Sequence, residues 1–129
     1  MRIYVAGING MVGSAIAIEA KAQRHEVIGK SSKELDLTDW AAVFNEFRNT
    51  KPDSLIIAAA KVGGIGADSS IPVDFLSINL QIQTNLLNAA HAWNIDKFNL
   101  ASKYPGGELN TVVGVDLCKS IQEPIFICR

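Results

Sequence analysis

Short, continuously apolar runs alternate along this chain with longer stretches whose apolar residues recur every three or four positions. Ile3-Tyr4-Val5-Ala6 is the first run and reads as a short buried strand. Val12, Ile16 and Ala20 then recur at helical spacing, which predicts a helix over 11–23. His25-Glu26-Val27-Ile28-Gly29 reads as a second strand. Thr38 is placed to cap a helix on which Trp40, Val43, Phe44 and Phe47 form one apolar stripe. These aromatics are expected in the core rather than as a platform for a ligand. Pro52-Asp53 breaks the pattern, and 54–60 reads as a third strand, apolar on both faces as a covered parallel strand is. Pro72 suits the first turn of a helix over 73–93 that carries Phe75, Leu76, Leu80, Leu87 and Ala90. Asn79 and Asn85 are expected on its exposed face. Lys97-Phe98-Asn99-Leu100-Ala101 reads as a fourth strand. After the turn Tyr104-Pro105-Gly106-Gly107, a helix is expected over 111–121, although Val112 and Val113 weaken it. Glu123-Pro124 stops it, and Ile125-Phe126-Ile127-Cys128 reads as a last strand. Strands alternating with helices make the class α/β, with a parallel sheet covered by helices.

The junction of the first strand and first helix carries glycines at Gly7, Gly10 and Gly13. A strand, a tight glycine turn and a helix N-terminus form a cradle for a pyrophosphate. Gly7 permits the turn, Gly10 lets a phosphate approach the backbone, and Gly13 lets the helix lie close to the sheet. The backbone N–H groups of Met11, Val12 and Gly13 then face the anion at the positive end of the helix dipole. The expected fold is therefore a Rossmann-type dinucleotide-binding domain spanning 1–129. In such a domain the stretch after the second strand meets the adenosine ribose. Here it is Lys30-Ser31-Ser32-Lys33, with the first acidic residue, Glu34, only after them. A basic and hydroxyl cluster suits a 2′-phosphate and tilts the choice toward NADP; the other reading is a solvated turn. The third strand runs into a second glycine-rich loop, Lys61-Val62-Gly63-Gly64-Ile65-Gly66, at the sheet edge where ligands bind. The small Ala58, Ala59 and Ala60 let a flat cofactor lie close to the sheet.

Composition narrows the partners. A net charge of −1 with no basic block argues against nucleic acid or an anionic membrane. No apolar run reaches membrane-spanning length, and the start lacks the apolar core of a signal peptide. Cys118 and Cys128 have no metal-ligand spacing and are expected as reduced thiols of a cytoplasmic protein. His25, at a helix-to-strand junction, and His91, near a helix end, are expected as surface residues. No metal site is expected.

Two segments resemble one family closely. Gly7-Ile8-Asn9-Gly10-Met11-Val12-Gly13-Ser14-Ala15-Ile16 resembles the cofactor loop of the GDP-L-fucose synthases, which are extended short-chain dehydrogenase/reductases. Ala58-Ala59-Ala60-Lys61-Val62-Gly63-Gly64-Ile65 is the more specific match, and it continues through Asp74-Phe75, Asn79 and Asn85 to Ala89-Ala90-His91. Glu34-Leu35-Asp36-Leu37 matches as well. The resemblance is good from about residue 2 to 101 and weak beyond. It implies NADPH as cofactor and a GDP-linked keto sugar as substrate, which the family epimerises at two carbons and then reduces. It places Gly7, Gly10, Met11, Val12 and Gly13 on the pyrophosphate. Lys30, Ser31 and Ser32 fall on the adenosine phosphate, Asp36 and Leu37 near adenine, and Ala58, Ala59, Ala60 and Lys61 beside the ribose and nicotinamide. It also implies dimers packed through helices equivalent to 73–93 and 111–121.

The catalytic group is where the chain departs from its family. Ser102 matches the family's catalytic serine, and Tyr104-Pro105 matches a Tyr-Pro that is not catalytic. The family's Tyr and Lys, four residues apart, protonate the keto oxygen and hold the nicotinamide ribose. Counting back from Cys118, their positions fall on Gly107 and Thr111. The only tyrosines are Tyr4 and Tyr104, with Ile8 and Glu108 four residues on, so no Tyr-x-x-x-Lys exists. Asn9 stands where the family's loop tends to be basic. By comparison with the family, the C-terminal substrate domain is not expected within these 129 residues. The expectation is a truncated NADP-binding domain of a GDP-L-fucose synthase-like epimerase/reductase, not catalytic alone. The alternative is a non-catalytic nucleotide-binding or interaction domain, as a homodimer or paired with a full-length relative.

Overall fold

The computed structural model describes residues 1–59, 72–95, 97–101 and 112–114. Its elements are β1 (Arg2–Ala6), α1 (Met11–Ala22), β2 (Glu26–Ile28), α2 (Trp40–Thr50), β3 (Ser54–Ile57), α3 (Pro72–Ala92), β4 (Lys97–Ala101) and β5 (Val112–Gly114). The sheet order is β2-β1-β3-β4-β5, and the first four strands are parallel. The chain leaves β1 toward β2 on one side, then returns past β1 to β3 on the other. Parallel crossovers are right-handed, so reversing the direction of travel reverses the covered face. Accordingly α1 packs with Ile3, Val5 and Ile56 through Ile16 and Ala20. On the other face, α2 and α3 pack on Tyr4, Ala6, Leu55 and Ile57 through Val43, Phe47, Ile82, Leu86, Ala89 and Ala90. The two-residue alternation of β1 and β3 thus feeds two separate cores.

Several expectations change. Val112–Gly114 is a strand, antiparallel to β4, where a helix was expected over 111–121. Two adjacent β-branched valines fit a pleated edge better than a helix. The remainder of that segment, the expected strand over 125–128, both cysteines and Tyr104 lie outside the described residues. Asp39, not Thr38, caps α2: its carboxylate accepts from the Ala42 N–H at 3.2 Å. The Thr38 hydroxyl is committed to Asp36 Oδ1 at 2.6 Å instead.

The aromatic stripe of α2 is only partly core. Val43 and Phe47 are fully buried, whereas Trp40 is 50% exposed and stacks on Phe44 with centroids 5.0 Å apart. On α3 the expected apolar positions Leu76 and Leu80 face out, and the buried stripe is Ile82, Leu86, Ala89 and Ala90. Asn85, expected on the exposed face, is buried in that stripe, where its Nδ2 donates to the Leu37 carbonyl at 3.0 Å. Among the described residues no helix is long and apolar enough to cross a membrane.

Candidate nucleotide-binding site

Between the β1–β3 pair the chain reverses its direction of winding, and ligands of open parallel sheets bind at the strand C-terminal ends there. Gly7 ends β1 with φ +85°, in the left-handed region. A Cβ on it would come within 2.8 Å of the Ala59 backbone, so both its conformation and its contact require glycine. The loop closes through the Gly10 N–H donating to the Gly7 carbonyl at 2.9 Å, and α1 begins with the Ser14 N–H donating to the Gly10 carbonyl. Gly13 is buried in the first turn of α1, and a Cβ there would overlap the Gly7 carbonyl oxygen. Helix and loop are therefore in direct backbone contact.

This cradle fits a pyrophosphate. The N-cap is Gly10, with no side-chain cap hydrogen bond, and the first turn of α1 holds no acidic residue. Nothing of the helix's own caps the N-terminal N–H groups or opposes an anion there. Gly10 and Met11 are exposed and Val12 is half-buried against the α1-side core. Ala58 and Ala59 lie across the crevice from the loop, both half-buried, with the Ala58 N–H donating to the Ala6 carbonyl at 2.9 Å. The structure thus brings Gly7, Gly10, Met11, Val12, Gly13, Ala58 and Ala59 together. Ala60, Lys61 and Ser102 lie outside the described residues.

The segment after β2 is also at this edge. A Cβ on Gly29 would meet the Ile8 side chain at 2.8 Å, which seats Lys30 beside the glycine loop. The polar groups that follow are engaged within the chain. Lys30 Nζ lies 2.6 Å from Glu46 Oε2, and the hydrogen bond and charge of Glu46 raise the lysine pKa. The N–H and hydroxyl of Ser31 both donate to Glu34 Oε2, at 2.8 and 2.7 Å, and these bonds hold the Glu34 carboxyl below its ordinary value. Ser32 is exposed. Asp36 turns back on Thr38, whose hydroxyl and N–H lower its pKa, and Leu37 packs on the core.

Sequence reading missed Glu46. It is 6% exposed, and its Oε1 is buried without a hydrogen-bond partner. A signal existed: Glu46 lies three residues after Val43 and beside Phe47, so it falls on the buried side of α2. Tyr4, one of the chain's two tyrosines, is 1% exposed in the core against Phe47, 4.9 Å between ring centroids. Burial first, then the charges of Glu46 and Glu34, push its phenol pKa up. It is no proton donor to the crevice.

No group of three or more His, Cys, Asp or Glu side chains able to hold a metal occurs among the described residues. A groove lined by Lys51, Pro52, Trp93, Asn94 and Lys97 lies at the opposite edge, by the strand N-terminal ends, away from the crevice.

Known proteins share this arrangement. GDP-L-fucose synthase 1 of Arabidopsis thaliana is 45% identical over 97 residues, 74% of this chain and 30% of the relative. The solved structure of DdhaC superposes with a TM-score of 0.74 at 41% identity, covering 85% of this chain and 33% of its own. MlghC, a GDP-mannoheptose C4 reductase from Campylobacter jejuni solved with NADP bound, gives a TM-score of 0.71 at 28% identity, covering 77% and 32%. The chain thus spans about a third of the length of the relatives it matches. A sequence profile of the NAD dependent epimerase/dehydratase family matches residues 3–106. With its glycine cradle at the strand-order reversal and this match, the chain belongs to the NAD dependent epimerase/dehydratase family, and within it the chain resembles the N-terminal region of GDP-L-fucose synthases.

Proposed function

We propose that this chain is the NADP-binding module of a GDP-L-fucose synthase-like epimerase/reductase, a single domain over 1–129 that does not catalyse alone. One observation carries the reading: the cradle in which Gly13 of α1 lies against the Gly7 carbonyl under an uncapped, acid-free helix N-terminus. Pyrophosphate is the ligand that such a backbone site suits. Bound NADPH would supply the hydride for a keto sugar carried on GDP. Gly7, Gly10, Met11, Val12 and Gly13 would hold the pyrophosphate, and Lys30, Ser31 and Ser32 the adenosine phosphate. Ala58, Ala59, Ala60 and Lys61 would line the nicotinamide end, Asp36 and Leu37 the adenine end. Ser102 would face the keto oxygen, but it has no Tyr-x-x-x-Lys to work with. Proton delivery contributes roughly 10²–10⁴-fold in rate, and its absence leaves a binding unit. A cytoplasmic location belongs to the same proposal.

Titration calorimetry with NADP and NAD tests it. NADP is expected to bind more tightly, because charge-assisted hydrogen bonds to a 2′-phosphate are the stronger kind. Equal affinities, or tighter NAD, would refute the cofactor assignment.

A second reading, pairing with a copy of itself or with a full-length relative, is favoured by one observation. Val73, Leu76 and Leu80 share one side of α3 and are 73%, 60% and 53% exposed.

A further inference from the structure

We propose that Glu46 is a specificity-determining residue: it holds the Lys30 ammonium against the body of the domain and competes with a nucleotide 2′-phosphate for that cation. The inference rests on reading the chain as an NADP-binding module.

Lys30 is where a 2′-phosphate would be met. It follows Gly29, which is wedged between the Val5 carbonyl oxygen and Ile8, at the C-terminal edge of the sheet beside the glycine loop. Its ammonium lies 2.6 Å from Glu46 Oε2. The two partners differ in their freedom. The Lys30 side chain is 42% exposed, that of Glu46 only 6%. Glu46 Oε1 is buried and unpartnered, so the carboxylate depends on Lys30 for compensation. A buried carboxylate stripped of its cation is strongly disfavoured. Lys30 therefore stays with Glu46, and an incoming phosphate meets an ammonium already neutralised from behind. The ammonium has three donors, and Glu46 occupies one of them. A phosphate can still be bound, but against the repulsion of the glutamate charge. A nucleotide with a plain 2′-hydroxyl feels none of this. Glu46 thus narrows the advantage of NADP over NAD. Glu34 engages Ser31 in a similar way, but Glu34 is exposed and can swing out into water, which Glu46 cannot.

The test compares NADP and NAD affinities of the whole chain with those of Glu46→Gln, which keeps the shape and loses the charge. The ratio of NADP to NAD affinity should rise about tenfold, the scale of coupling between neighbouring charges, with NAD binding unchanged. In a Lys30→Met background the same substitution should leave the ratio where Lys30→Met put it. Should Glu46→Gln fail to fold, Glu46→Leu, matched to Val43 and Phe47 around it, makes the same comparison. A merely loosened fold would weaken both nucleotides together and leave the ratio alone. If the ratio does not rise, or the rise survives without Lys30, this inference is overturned, and the proposed function stands so long as wild type binds NADP more tightly than NAD. A wild-type chain that binds neither nucleotide overturns both.

Discussion

Gly10 caps α1 and Gly13 lies in its first turn, and the two are constrained differently. Gly10 is exposed, with φ −75° and ψ 167°, a conformation any residue adopts, and a Cβ there meets only the Gly7 carbonyl oxygen at 3.2 Å. Gly10→Val is expected to cost about 1 kcal/mol of stability or less, the difference between a good and a poor N-cap. Its branched side chain projects where the pyrophosphate must come, so NADP binding should be lost. Gly13→Ala is expected to do the reverse of this in the fold. Its Cβ would overlap backbone, forcing α1 off the loop at about 1–3 kcal/mol, the range for overpacking a tight contact. Thermal melts and calorimetry on the two variants separate the effects. A Gly10→Val chain that binds NADP like its parent would show that the loop is not the site.

At the scale of elements, α3 ties down the long connection between β2 and α2. Leu35 is buried and Leu37 half-buried, both against the α2–α3 core, and Asn85 Nδ2 reaches the Leu37 carbonyl. That amide adds a polar tie to the apolar contacts that hold a segment without regular structure. Asn85→Ala removes the donor from a nearly enclosed site and is expected to cost about 1–3 kcal/mol. Denaturant unfolding would show a lower midpoint with an unchanged slope, the sign of lost stability without a change in exposed surface. An unchanged midpoint would mean that the bond to Leu37 carries no net stabilisation. The sequence placed α1, α2 and α3 within a residue or a few of their ends, since each has a long periodic stretch. It misjudged which face of α3 turns inward, because that helix has apolar residues on two sides.

For the whole molecule, the outer side of α3 is the feature left over. Val73, Leu76 and Leu80 form an exposed apolar row at helical spacing. Contiguous apolar surface of this kind commonly marks an interaction site. Sedimentation of the purified chain is expected to show a concentration-dependent dimer. Leu76→Lys with Leu80→Lys should return it to a monomer without lowering its melting temperature, since neither side chain is in the core. A wild-type chain that is monomeric at every concentration would discount self-pairing.

Local pattern by itself determined most of the architecture. Glycines at 7, 10 and 13 after one apolar run marked a strand-turn-helix, and the apolar run from Ser54 marked the third strand, which ends at Ile57. These signals are short-range, because backbone conformation and side-chain periodicity depend on a few neighbouring residues. Three features were decided only by the tertiary structure. Val112–Gly114 pairs antiparallel with β4, a choice made by an available sheet edge rather than by the segment. Asn85 turns inward because a carbonyl from a loop 48 residues away in sequence waits there. Lys30 finds Glu46, 16 positions along the chain, through the packing of α2 beside the end of β2. Each is a contact between distant segments, and its energy exists only once the sheet has brought them together. For that reason the sequence marked the glycine turn, and only the fold revealed a carboxylate holding the Lys30 ammonium beside it.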